Sequence, residues 1–119
     1  MKKLIAIFLA ALMLLTAASA MASGLLGGWT TAEDPAIDEN LQILFEQATE
    51  DLLGVKYTPV VYLGSQAVSG TNHCFLCQGA AVTPDARPGW YLIYINEDLN
   101  GAVSLMGIAP FDFGDMCIY

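Results

Sequence analysis

The sequence predicts an α+β fold: one long helix packed on a four- to five-stranded antiparallel sheet. Three observations lead there. Between Ile37 and Leu52, apolar residues recur at steps of three and four, the period of a helix with one buried stripe. From Lys56 onward the pattern changes to runs rich in Val, Ile and Tyr, broken by turn-forming residues. Most of these runs follow one another across short breaks, which suits hairpins rather than the long crossovers that parallel strands need. No internal repeat is visible, and a single helical stripe covering one sheet face makes a two-layer domain.

The first 20 residues stand apart from that fold. Lys2 and Lys3 precede an uninterrupted apolar run from Leu4 to Leu15, and Ala18-Ser19-Ala20 closes the segment with small residues. This is the layout of a secretory signal peptide, cleaved after Ala20, with Ala22 as a second cleavage point. The apolar run is shorter than the roughly 20 residues that span a bilayer. The expectation is a secreted or extracytoplasmic protein with no membrane association after signal removal. Loss of residues 1–20 removes two of the four cations and none of the 12 acids, leaving only Lys56 and Arg87 to oppose them. So acidic a chain cannot neutralise a phosphate backbone, so no nucleic acid is expected as partner. The remaining hundred or so residues suffice for one domain with one core.

Residues 21–33 read as a flexible N-terminal arm: Gly24, Leu25, Leu26, Gly27 and Gly28 show neither period. Leu25 and Leu26 are either exposed there or tucked into the core. The single domain follows over residues 34–119. Asp34-Pro35 offers an N-cap with Pro at the first helical position. Ile37, Leu41, Leu44, Phe45, Ala48 and Leu52 form the stripe, and Gly54 is the expected stop. Tyr57 to Val68 is a strand with Pro59 near its start, as at an edge or bulge. A small, polar, Gly-containing break leads to a return strand over Thr71 to Gln78. Gly79 to Gly89, with Pro84 and Pro88, is an irregular connection. Trp90 to Asn96 is a third strand. Asn100-Gly101 is a turn signal, with Ala102 to Met106 pairing back. The segment from Gly107 to Tyr119 reads as a tail laid on the sheet, with room for a short terminal strand.

Catalytic chemistry has little to stand on. The one histidine, His73, sits in a strand beside Cys74, so the two side chains point to opposite faces and cannot form a nucleophile–base pair. No enzymatic activity, no cofactor and no metal are expected. Cys74-Phe75-Leu76-Cys77 spells C-x-x-C, but three residues of strand separate the Cα atoms by about 10 Å at ~3.3 Å per residue. A disulfide needs roughly 7 Å or less. Cys117 could pair with Cys74 or with Cys77, or these cysteines could serve as small buried apolar residues. A zinc site from His73, Cys74, Cys77 and Cys117 would draw on both faces of one strand. Glycine-rich phosphate loops are missing from the sequence.

The remaining pattern is Gln66-x-Val68-x-Gly70, with Ala67 and Ser69 between, followed by Thr71-Asn72 and an aromatic-containing strand. Together with the element order and the apolar pair Leu25-Leu26 before Gly27 and Gly28, it resembles the cystatins, reversible inhibitors of papain-like cysteine proteases. The resemblance covers roughly Leu25 to Met106. It implies a cystatin-like fold in which three pieces form a wedge on one edge. Leu25 and Leu26 would fill substrate side-chain pockets, with Gly27 as the flexible joint. Gln66, Ala67, Val68, Ser69 and Gly70 would enter the active-site cleft. Leu99 and Asn100, in the second hairpin turn, would supply the third contact. The family's Pro-Trp in that turn is replaced by Glu97-Asp98-Leu99-Asn100-Gly101, and its paired disulfides are not evident. The partner implied is a papain-like cysteine protease, the inhibitor being a monomer or a domain-swapped dimer opened at the first hairpin. The alternative is an exported cystatin-fold protein-interaction module without protease-inhibitory activity.

Overall fold

The computed structural model describes residues 28–116. The expected signal peptide, Leu25, Leu26, Gly27 and Cys117 lie outside the described residues. Within them the chain is an α+β fold built on one open, five-stranded antiparallel sheet. The strands are β1 (Trp29–Thr31), β2 (Val55–Val68), β3 (Gly70–Ala81), β4 (Gly89–Glu97) and β5 (Val103–Pro110), in spatial order β1-β2-β3-β4-β5. Helix α1 (Glu39–Thr49) packs on one sheet face, and a single turn, α2 (Phe113–Met116), follows β5.

The helix is shorter than its apolar pattern suggests, with 11 residues. Its N-cap is Asp38, whose carboxylate accepts the Leu41 N–H at 2.8 Å, not Asp34. Asp34 instead accepts the Ala36 N–H within a local turn, and the Pro35 carbonyl accepts the Tyr62 N–H from β2 at 2.9 Å. A carbonyl engaged by a strand is not starting an α-helical ladder, so the expected first turn is drawn off to the sheet. At the other end, the Leu52 N–H closes a turn onto the Thr49 carbonyl. Gly54, at φ +86, serves the entry into β2 and not the helix stop.

The apolar stripe nevertheless does what its spacing implies. Leu44 and Phe45 are buried, with Ile37, Leu41 and Ala48 packed beside them. They meet Phe75 and Cys77 of β3 and Ile93 and Ile95 of β4, all fully buried. Alternation along each strand puts these residues on the helix side. Phe45 meets the edge of Phe75 at 5.3 Å between ring centroids, and Tyr62 leans on the same ring at 5.2 Å. Each large side chain buried here contributes about 1.5–3 kcal/mol.

Three expectations about extent change. Residues 29–31 of the supposed arm form β1, paired Trp29↔Gln66 and Thr31↔Gly64. Strands β3 and β4 run further than β-formers predict, with Val55↔Ala81 and Gly79↔Gly89 still in register. Gly79 is needed there. A Cβ would lie 2.6 Å from the Tyr57 ring, which stacks edge-on with Tyr91 at 5.4 Å. The low β-propensity of Gly and Ala hid this stretch. Likewise β5 reaches Pro110, taking up the start of the predicted tail.

Candidate functional site

Antiparallel pairing brings three chain segments to one end of the sheet. The β2–β3 turn is as tight as a hairpin allows: Val68 and Gly70 are still partners, with Ser69 alone between them. Gly70 has φ +107, a conformation that side chains strongly disfavour. It also has no space, since a Cβ would stand 2.4 Å from the Glu97 carbonyl oxygen and 3.0 Å from the Asp98 Cα. The first turn therefore rests directly against the start of the second. The second turn is braced from within by Asp98, whose Oδ1 accepts the N–H groups of Asn100 and Ala102, each at 2.8 Å. Gly101 closes it at φ +85, donating its N–H to the Asp98 carbonyl. Leu99 projects from the apex, 80% exposed.

The third segment is the entry to β1. Trp29 is paired with Gln66, so Gly28 lies at the same end of the sheet as the two turns. Trp29 stacks edge-on with Tyr94 at 5.7 Å on the sheet face away from the helix. Cys74, Gly64 and Tyr94 line a shallow cavity of about 250 Å³ with it. Gly64 makes this possible, because a Cβ there would strike the Thr30 carbonyl at 2.3 Å.

Of the predicted contact residues, Gln66, Ala67, Val68, Ser69 and Gly70 form the first turn and the strand leading into it. Leu99 and Asn100 form the apex of the second, and Gly28 adjoins β1. Gln66 is held in place by a row of amides across three strands. Asn72 Nδ2 donates to Gln66 Oε1 at 2.9 Å, and Asn96 Nδ2 donates to Asn72 Oδ1 at 2.8 Å. Side chains that lose little freedom on docking favour association.

A polar cluster on the helix side went unread in the sequence. Tyr62 Oη and His73 Nδ1 are 2.7 Å apart, and His73 Nε2 and Glu97 Oε1 3.3 Å apart. In the tautomer with its proton on Nε2, the ring donates to the Glu97 carboxylate and accepts the Tyr62 hydroxyl at Nδ1. His73 is 8% exposed and Glu97 opens the second turn, so the histidine ties that turn to β2 and β3. The three residues come from three strands, and only cross-strand register joins them.

The two described thiols, Cys74 and Cys77, are buried and poorly suited to nucleophilic attack. Burial pushes Cys77 up to about 12, with Cys74 adding to the effect, and burial raises Cys74 as well. A thiol so protonated is a poor nucleophile. Both are free thiols and lie on opposite faces of β3. No group of three or more His, Cys, Asp or Glu side chains among the described residues could hold a metal ion. Among the described residues, too, no helix is long and apolar enough to cross a membrane. Comparison of the chain with family models, with curated proteins and with solved structures finds no match.

Proposed function

We propose that this protein is a secreted, cystatin-like reversible inhibitor of papain-like cysteine proteases, occluding the active-site cleft with its N-terminal arm and two hairpin turns. The observation that carries the reading is the contact of Gly70 with Glu97 and Asp98, alongside the pairing of Trp29 with Gln66. Together they align the arm entry, the Gln66–Gly70 turn and the Leu99–Asn100 turn at one end of the sheet. The element order, with one helix ahead of a four-strand meander, agrees with the resemblance.

The physical case is one of rigidity and shape. A turn with a single residue between paired strands, a second turn braced by Asp98 and a row of amides behind Gln66 make a thin, preformed edge. Such an edge enters a cleft without losing much entropy. Val68 and Leu99, both exposed, supply apolar contact that excludes water from the cleft. Occlusion of this kind leaves no bond placed for attack by the protease thiol, so inhibition is reversible and needs no chemistry from the inhibitor.

The test is titration of the mature protein against papain. Inhibition that is reversed by dilution, and weakened by Val68→Glu or by deletion of residues 21–26, is the expected result. No inhibition at tens of micromolar would discard the reading in favour of an interaction module on the same fold.

A further inference from the structure

The two edges of the sheet are guarded unequally. On the β2 side, β1 covers Gly64 to Gln66, the Pro35 carbonyl takes the Tyr62 N–H, and the rest of the strand carries Pro59 and Lys56. Proline removes a donor and a charge discourages pairing, both familiar ways of blunting an edge. On the other side, β5 ends the strand order with no neighbour among the described residues and has no charged residue from Val103 to Pro110.

The free main-chain groups of β5 can be placed. The Asp98 N–H donates to the Ala102 carbonyl and the Phe111 N–H to the Trp90 carbonyl, both at 2.9 Å. In an antiparallel ladder, bonded and non-bonded pairs alternate. Stepping inward from those two bonds, the pairs Glu97↔Val103, Ile95↔Leu105 and Ile93↔Ile108 are non-bonded. The amide groups of Val103, Leu105 and Ile108 therefore point away from β4. Met106 has no partner at the bulge in this ladder and is 54% exposed.

We propose that the β5 edge docks an extended peptide segment of a partner protein, an uncharged, β-branched stretch with Lys or Arg at both ends, which adds as a sixth strand. Charge decides the occupant. The uncharged run from Leu99 to Phe111 is bounded by Asp98 on one side and Asp112 on the other. A second copy pairing antiparallel about Leu105 would bring Asp98 of one copy beside Asp112 of the other at both ends, like charge on like. Basic ends meet those carboxylates favourably. The bulge at Met106 bends the strand, which suits a short adaptable segment better than a long flat one. Main-chain bonds supply the affinity, and the end charges and side-chain alternation supply the selection. The inference rests on the sheet edge and stands apart from the protease reading.

The experiment uses the full mature chain, isotope-labelled, with the peptide Lys-Lys-Val-Thr-Val-Thr-Val-Lys-Lys and its counterpart carrying Glu in place of every Lys. Amide exchange is followed by NMR. The expected result is slowed exchange at Val103, Leu105 and Ile108, and binding of the basic-ended peptide about tenfold tighter than the acidic-ended one. Met106→Lys, an exposed change that places a charge on the edge, should weaken binding. Protection confined to other residues, equal binding of the two peptides, or no binding at saturating peptide would overturn the proposal. Protection of the same amides that grows with protein concentration alone, with a dimer by sedimentation, would overturn it in favour of a second copy.

Discussion

Gly70 and Glu97 touch through main chain alone: a Cβ on residue 70 would lie 2.4 Å from the Glu97 carbonyl oxygen. The contact ties two hairpin turns across 26 intervening residues, 71–96, and neither residue uses a side chain to make it. Gly70→Ala should thus cost stability twice, through the positive φ and through displacement of the second turn, about 2–3 kcal/mol in all. Gly101 is the internal control. It shares a positive φ but has open space around it, so Gly101→Ala should cost only about 1–2 kcal/mol. Urea unfolding midpoints for the two variants check this, and equal losses would mean the Gly70–Glu97 contact does not hold the turns together.

Tyr62→Phe removes the hydroxyl that faces His73 Nδ1 inside the protein. His73 is nearly buried, so its ring nitrogen would be left without a partner, a loss of about 1–3 kcal/mol. Glu97→Gln should be far milder, below about 1 kcal/mol. The Glu97 side chain is 40% exposed and a glutamine oxygen can still accept. A double-mutant cycle between Tyr62→Phe and His73→Phe should show coupling. Additive effects would separate the two side chains energetically.

The legibility of these features follows from what sets them. The helix stripe and the hairpins were visible because periodicity and turn chemistry are local. Even so, the sequence points to Asp34 as the N-cap, and the cap falls at Asp38 because the Tyr62 N–H claims the Pro35 carbonyl. The strand through Gly79, Ala80 and Ala81 was hidden because its stability comes from the Tyr57 and Tyr91 rings over Gly79, not from its own residues. At the candidate site, the Gln66–Gly70 pattern was readable as a motif, and so was the Asn100-Gly101 turn. Their contact, the brace from Asp98 and the Tyr62–His73–Glu97 cluster depend on register between strands, which bulges at Val60 and Leu63 shift; Pro59 announces the first of these, and nothing local announces the second.

Alkaline pH should destabilise the protein through its buried thiol. Cys77 ionises near its ordinary value of 9.0 in the unfolded chain, whereas burial first and then Cys74 push it up to about 12 in the fold. The folded state holds the proton longer. Stability is therefore complete below the unfolded value and falls as pH rises from there towards about 12. Burial raises Tyr57, Tyr62, Tyr94 and Cys74 in the same sense. Cys77→Ala should lower the midpoint at neutral pH but flatten its decline in alkali. A decline as steep as that of the parent would clear Cys77 of the effect.

Gly64→Ala should release β1 while leaving the helix-side core intact. The added methyl would fall 2.3 Å from the Thr30 carbonyl oxygen, a main-chain atom that cannot swing aside, so the strand itself must lift. Strand β1 has three residues, pairing Trp29, Thr30 and Thr31 with Gln66, Ser65 and Gly64, and one further main-chain bond, from the Ala32 N–H to the Leu63 carbonyl, follows them. Its loss is a local opening and not global unfolding. Trp29 would then leave Tyr94, and its emission should shift to the red in a background where the other tryptophan is removed by Trp90→Phe. Cys74, now under Trp29 in the shallow cavity, should react faster with a thiol reagent, while Cys77 on the opposite face stays protected. Under the proposed function the same change should weaken papain inhibition, since it detaches the arm from the end of the sheet where Gln66 and Gly70 lie. Unchanged Trp29 emission and unchanged Cys74 labelling together would show that β1 does not depend on the bare backbone at Gly64.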